Sequence, residues 1–189
     1  MGCTLIETDI SNIWGDIDFS SLMGMESRLS AAHAKLADGT GAGNDFLGWH
    51  HLPSGTTEEE LDAITAAARR IRRDSKALVV IGIGGSYLGA RAAIEFINGV
   101  MHNDTDPVKI YFAGNHLSTR ALNDLAAQLE NVDFSINIVS KSGSTMETAL
   151  AARMFRWLLN RKYGAEKARQ RIYVTTDPHK GKLRALTTE

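Results

Sequence analysis

Apolar and polar positions along the chain change their spacing near residue 76. Before that point one segment repeats apolar residues at helical spacing: Leu61, Ile64, Ala68 and Ile71. This pattern predicts an amphipathic helix over 57–73, with Thr57 and Glu60 as the capping box that starts it. The remaining residues up to 75 have the irregular pattern of short helices and loops. We therefore predict a mainly helical N-terminal extension over 1–75.

From residue 76 onward, strand-like apolar runs alternate with helical stretches. The predicted strands are 77–83, 109–114, 134–140 and 171–176. The predicted helices are 87–99, 118–130, 145–163 and 179–188. Strands separated by helices of this length form right-handed crossovers and a parallel sheet with both faces covered. The sequence thus predicts an open, doubly wound α/β domain over 76–189, with its boundary in the polar stretch 72–76.

The first predicted strand runs into a glycine-serine turn, VVIGIGGSYLGA at 79–90. A strand that breaks into glycines before a helix exposes backbone amides where the helix dipole also favours an anion, so a phosphate is the expected guest. A dinucleotide fingerprint would need glycine in place of Tyr87, and a P-loop would need lysine in place of Ala90. Gly85 and Ser86 are therefore candidate ligands of a phosphate outside those two nucleotide-binding patterns. The alternative is that these glycines only allow close packing of strand and helix.

The third predicted strand ends in a second polar turn, SKSGST at 140–145. Its hydroxyls can each donate a hydrogen bond to a phosphate oxygen, and its lysine adds a cation. The candidate residues are Ser140, Lys141, Ser142, Ser144 and Thr145. The alternative is that the hydroxyls only cap the next helix. If strands one and three are neighbours, both turns lie at the carboxyl edge of the sheet and approach one ligand.

Other polar residues carry weaker signals. Glu147 falls in the first turn of the helix after the second polar turn, where it either stabilises the helix or reaches a histidine or the substrate. His50 and His51 are adjacent, and no group of histidines, cysteines and acids has metal-ligand spacing, so no metal site is predicted.

Composition and charge exclude several partners. Hydrophobic residues make up 43% and charged residues 23% of the 189 positions, as in ordinary globular proteins. The formal net charge of -1 gives no footprint for nucleic acid, and the basic run at 69–73 is explained as a solvated helix end. Cys3 is the single cysteine, which suits a reducing compartment, and we expect a cytoplasmic protein. The sequence predicts no signal peptide and no membrane span.

Three segments resemble the phosphoglucose isomerase family of the bacterial type: TGAGNDFLGW at 40–49, VIGIGGSYLGARAAIEF at 80–96 and SINIVSKSGSTMETALAARMFR at 135–156. The resemblance covers nearly the whole chain. It implies a sugar-isomerase (SIS, flavodoxin-like) domain. It also implies that the 6-phosphate of a sugar is held by four hydroxyl residues, Ser86, Ser140, Ser142 and Thr145, with Lys141 in the same loop. Glu147 resembles a glutamate that supports the histidine used for ring opening. Ser144 and Met146 depart from the commonest family residues, which are threonine, and glutamine or threonine.

The resemblance also implies a reaction. Family members interconvert glucose 6-phosphate and fructose 6-phosphate through a cis-enediol, with a general base and with no metal or organic cofactor. They usually form dimers, and they are more than twice as long as this chain. The base glutamate, the ring-opening histidine and a later lysine lie outside the portion that this chain resembles. We therefore expect the N-terminal part of such an enzyme, which carries the phosphate turns and is inactive alone.

Two other functions fit part of the pattern. A stand-alone regulatory module that binds phosphosugars would need only the two polar turns. The N-terminal extension and the segment 40–49 argue against it, because a sensor does not need them. The isomerase half of an amidotransferase that makes glucosamine 6-phosphate has turns that resemble these only loosely.

Overall fold

The computed structural model describes residues 9–15 and 17–187. They separate into two compact units, with the division between Glu60 and Leu61. Cys3 lies outside the described residues. The assignment of domains at 1–75 and 76–189 stays a prediction from composition and pattern.

The unit that ends at Glu60 consists of short helices and turns. Its helices are α1 (Phe19–Met23), α2 (Glu26–Ala37), a 3-10 turn at Asn44–Phe46, α3 (Leu52–Gly55) and the first residues of α4 (Glu58–Asp74). The predicted capping box is confirmed at the start of α4: the Thr57 amide donates to the Glu60 carboxylate at 3.1 Å, and the Glu60 amide donates to the Thr57 hydroxyl at 3.2 Å. No described residue from 9 to 60 is buried.

The unit that begins at Leu61 contains a four-stranded sheet. Its strands are β1 (Ala77–Ile81), β2 (Lys109–Ala113), β3 (Phe134–Val139) and β4 (Ile172–Thr175). Beside α4, its helices are α5 (Leu88–Asn98), α6 (His102–Thr105), α7 (Thr119–Leu129), α8 (Met146–Tyr163), α9 (Ala165–Arg169) and α10 (Lys182–Leu186). The strands and the longer helices agree with the predicted segments to within a few residues at each end.

All pairings in the sheet are parallel, and the strand order is β2-β1-β3-β4. Ile81 at the end of β1 pairs with Ala113 on one side and with Ile138 on the other. The chain therefore leaves β1 in one direction to form β2 and returns past β1 to form β3. This reversal confirms the predicted doubly wound α/β fold and makes β1 and β3 neighbours at the switch point.

The hydrophobic core lies between the sheet and α8. Ala151, Phe155 and Leu159 recur every four residues on one face of α8, and all three are fully buried. They pack with alternate apolar residues of the two central strands: Val79, Ile81, Ile136 and Ile138. Side chains two positions apart in a strand point to the same face, so these contacts fix one face of the sheet against α8.

A polar network ties the opposite, amino edge of the sheet together. The Ser75 and Ser135 hydroxyls are buried and lie 2.7 Å apart. The Arg171 guanidinium donates to the Asp74 carbonyl at 2.5 Å and to the Ser75 hydroxyl at 3.1 Å. It also lies over the Tyr163 ring, 4.2 Å from its centre. Burial raises the pKa of the Tyr163 phenol, so it stays a neutral donor. This edge carries a satisfied structural network.

Candidate functional site

The first candidate turn leaves β1 at Ile81 and forms a 3-10 turn over Gly84–Ser86 before α5 begins. Gly84 has a φ of +57°, a conformation that glycine adopts without strain. The Ser86 amide donates to the Ile83 carbonyl at 3.2 Å. Among the described residues, the Gly85 amide and the Ser86 hydroxyl have no hydrogen-bond partner. The Ser86 amide is therefore used inside the turn, and the Gly85 amide and the Ser86 hydroxyl are the donors left for a ligand.

Gly82 is where this turn meets the end of β3. A Cβ at Gly82 would lie 2.9 Å from the Ser86 Cβ and 3.2 Å from the Val139 carbonyl oxygen. Real Cβ atoms do not approach neighbours so closely, so only glycine fits. The turn after β1 therefore packs against the last residue of β3, directly before the second candidate turn.

The second turn is shaped by its own hydroxyls. The Ser140 hydroxyl, in a residue only 5% exposed, accepts from the Gly143 amide at 3.0 Å. The Ser142 hydroxyl accepts from the Ser144 amide at 3.2 Å and from the Ser144 hydroxyl at 2.9 Å. A hydroxyl that accepts can still donate its own proton. Ser140 and Ser142 thus keep one donor each, while Ser144 uses its proton inside the turn.

Thr145 occupies the N-cap position of α8, with φ -64° and ψ 123°. Its hydroxyl makes no capping hydrogen bond, which argues against the purely structural explanation of this threonine. The first bond of the helix runs from the Ala149 amide to the Thr145 carbonyl at 2.9 Å. The described residues supply no partner to the amides of Thr145, Met146, Glu147 and Thr148.

These amides stand at the positive end of an 18-residue helix, and an anion there would be favoured by both the dipole and direct hydrogen bonds. Glu147 lies in this first turn, half-buried, and has no hydrogen-bond or ion-pair partner among the described residues. Lys141 is exposed, and the described part of the chain pairs its ammonium with no carboxylate. Both charged groups remain available to a ligand or to other parts of the protein.

A segment that the sequence analysis did not assign to the site braces the second turn from outside. The Thr176 hydroxyl donates to the Ser140 carbonyl at 2.8 Å and to the Lys141 carbonyl at 3.3 Å. The Lys182 amide, at the start of α10, donates to the Ser142 carbonyl at 2.8 Å. The available signal was the polar end of the fourth strand, Thr175 to Asp177, at the same edge of the sheet.

Two glycines make this bracing possible. Gly143 has a φ of +71°, and a Cβ there would overlap the backbone of Leu183. Gly181 has a φ of +104°, and a Cβ there would lie 2.8 Å from the Lys141 carbonyl oxygen. The turn and the start of α10 are therefore in backbone contact, which holds the hydroxyls of the turn in one arrangement.

Asp177 organises the approach to α10. Its carboxylate accepts from the His179 amide at 2.9 Å and from the Lys180 amide at 3.0 Å. The bond from the His179 amide, followed by that from the Lys180 amide, lowers the pKa of Asp177 below its ordinary value. The carboxylate is therefore ionised at neutral pH. The turn that it stabilises leads to Gly181, which contacts the second candidate turn.

The described residues contain neither a metal-binding cluster nor a membrane-spanning helix. Among residues 9–15 and 17–187, no group of three or more histidines, cysteines and acids is placed to hold a metal ion. Over the same ranges, no helix combines the length and hydropathy that crossing a bilayer requires. What the described residues bring together is a set of hydroxyl and amide donors at the carboxyl ends of β1 and β3.

Comparison with known proteins identifies the family of this chain. The phosphoglucose isomerase family profile matches residues 64–186. The chain is 44% identical over 185 residues to the glucose-6-phosphate isomerases of Staphylococcus aureus strains Newman, Mu50 and N315, covering 98% of this chain and 42% of each relative. The chain thus spans about two fifths of the length of these relatives. A crystal structure of a hypothetical protein from Thermus thermophilus superposes with a TM-score of 0.70 at 30% identity, over 89% of this chain and 38% of that one.

The family profile covers more than half of the chain, and it includes both candidate turns and all four strands. The fold, with its doubly wound parallel sheet, agrees with the superposed crystal structure. The chain belongs to the phosphoglucose isomerase family.

Proposed function

We propose that the two turns bind the phosphate group of a hexose phosphate, and that the chain contributes this site to glucose-6-phosphate isomerase activity. The ligand would be held by the Gly85 amide and by the hydroxyls of four residues, Ser86, Ser140, Ser142 and Thr145. The exposed ammonium of Lys141 would add a cation. The reaction would interconvert glucose 6-phosphate and fructose 6-phosphate through a cis-enediol.

The observation that carries this proposal is the contact at Gly82. Because Ser86 and the end of β3 both crowd the space that a Cβ at Gly82 would take, the first turn lies against the residue that precedes the second turn. The unpaired amides at the start of α8 supply further donors suited to an anion. Donors from two chain segments can then converge on one phosphate.

The donor set also suits a substrate that must leave. Each hydroxyl or amide bond to a charged phosphate contributes about 1.5–3 kcal/mol, and within this donor set Lys141 alone adds a full positive charge. A site with several neutral donors and one lysine binds a phosphate reversibly. The sugar would then extend from the turns towards Glu147, whose carboxylate we assign a supporting role in ring opening. The 189 residues alone are expected to show no isomerase turnover, because the general base is expected outside this part of the relatives.

Calorimetric titration with fructose 6-phosphate tests the proposal. Ser142→Ala and Thr145→Ala should each weaken binding at least about tenfold, because each loses a hydrogen bond to a charged phosphate, worth about 1.5–3 kcal/mol. Thr119→Ala is the matched control, because it alters an exposed threonine at the start of another helix, α7. Unchanged affinity in both site variants would refute the assignment. Isomerase turnover by these 189 residues, measured in a coupled assay, would refute the expected inactivity.

A further inference from the structure

A third segment lies beside the two turns, at the end of β2. Gly114 has a φ of +76°, and a Cβ there would lie 3.0 Å from the Ile81 side chain and 3.2 Å from the Thr148 Cα. The end of β2 is therefore packed between the end of β1 and the first turns of α8. The position of this segment is therefore fixed relative to the end of β1 and to the start of α8, where the two candidate turns lie.

Asn115, the next residue, reaches the first turn. Its side-chain amide donates to the Tyr87 hydroxyl at 3.4 Å, while its carbonyl oxygen is buried without a partner among the described residues. A buried polar atom without a partner costs stability and needs an explanation beyond packing.

Tyr87 connects this contact to the phosphate donors. Its amide closes the 3-10 turn on the Gly84 carbonyl at 3.1 Å, and its carbonyl accepts the first bond of α5 from the Arg91 amide at 2.9 Å. Its ring packs on Phe112 of β2, with ring centres 5.6 Å apart. The Tyr87 side chain therefore ties the turn that carries Gly85 and Ser86 to β2.

We propose that Asn115 is a positioning residue, which acts through the Tyr87 hydroxyl to hold the Gly84–Ser86 turn in the orientation that receives phosphate. The inference rests on the proposed function for its ligand, but its structural part can be measured without one. This role requires no contact between Asn115 and the ligand. The side-chain carbonyl oxygen of Asn115 is enclosed by protein.

Amide hydrogen exchange tests the structural part. Asn115→Ala and Tyr87→Phe should each speed exchange of the Ser86 and Tyr87 amides about fivefold, and the double variant should add nothing further. The Gly82 amide, bonded to the Ala113 carbonyl at 2.9 Å, should be unaffected. Asn123→Ala, on the exposed face of α7, is the control. Equal acceleration at Gly82, or additive effects in the double variant, would overturn the proposal.

Titration with inorganic phosphate separates this proposal from the proposed function. If both hold, Asn115→Ala, Tyr87→Phe and the double variant should raise the Kd by the same factor, about fivefold. Loss of affinity in Thr145→Ala with normal affinity in Asn115→Ala would refute the positioning role and leave the phosphate site standing. If the unaltered protein bound no phosphate, the proposed function would fail, and the exchange rates would still decide whether Asn115 holds the turn. Tyr87→Phe removes a single oxygen, so it guards against loss of folding in the asparagine variant.

Discussion

The unit that ends at Glu60 and the unit that begins at Leu61 place their apolar residues differently. In the first, no described residue is buried, and Phe46 and Trp49 are 72% and 60% exposed. In the second, Ile136, Phe155 and Leu159 are fully buried. A hydrophobic core provides most of the stability of a small domain. The candidate turns therefore rest on the unit with the core, whereas the TGAGNDFLGW segment contributes no core to its own unit.

The greatest loss of stability is expected where the core is removed. Phe155→Ala deletes a fully buried ring between α8 and the sheet and should lower the free energy of unfolding by about 3–5 kcal/mol. Trp49→Ala removes a larger but exposed ring and should change it by less than about 0.5 kcal/mol. Urea denaturation of both variants gives the two values. Similar losses for the two rings would contradict the assignment of the core to the second unit.

A smaller effect is expected where the second turn meets α10. Gly143→Ala should cost about 2 kcal/mol, because its positive φ is strained for alanine and the new Cβ overlaps Leu183. The same change should weaken phosphate binding as the turn shifts. Gly89→Ala is the control: the glycine lies in α5 with open space around it, and alanine should stabilise the helix by about 0.5–1 kcal/mol. A Gly143→Ala variant with normal stability would show that the bracing contact is not formed.

The amino edge of the sheet should affect stability without affecting the ligand. Ser135→Ala removes one partner of the buried Ser75 hydroxyl and should cost about 1 kcal/mol, because Arg171 still donates to that hydroxyl. The Kd for fructose 6-phosphate should be unchanged, since the network lies at the end of the strands opposite to the turns. A clear loss of affinity at unchanged stability would contradict this separation.

The weakest effect lies in the first unit and depends on pH. Hydrogen bonds from the Ser20 hydroxyl, the Ser21 hydroxyl and the Ser21 amide lower the pKa of Asp18 from 3.8 to about 2. A lowered pKa means that the ionised carboxylate stabilises α1 above its ordinary pKa, and that this contribution is lost as the pH falls from about 4 to about 2. Carboxyl chemical shifts should titrate near pH 2 for Asp18 in the intact protein. A midpoint near 3.8 would show that the cap does not form.

The sequence predicted the second unit well because its signals are local. Apolar runs such as 134–140 and the helical repeat before Tyr163 depend only on near neighbours, and β3 and α8 follow them closely. The sequence left the adjacency of β1 and β3 as a condition for a shared site, and the strand order of the sheet meets that condition. Local signals also led to both candidate turns, whose binding role stays a prediction.

Other features of the site depend on contacts between distant segments. The bonds from Thr176 and Lys182 to the Ser140 and Ser142 carbonyls join segments that α8, α9 and β4 separate along the chain. Local sequence patterns do not predict such contacts. Asn115 and Tyr87 lie 28 residues apart, and no spacing rule predicts their hydrogen bond. The hydroxyl-rich stretch was recognisable as polar, but which of its protons remain free is decided by the folded turn.

Amide NMR during titration with inorganic phosphate is the sharpest test of whether two turns bind one phosphate. The Gly85 amide and the amides from Thr145 to Thr148 should shift together, with a single midpoint, because all of them would surround the same anion. Shifts confined to one turn, or different midpoints for the two turns, would contradict a shared site.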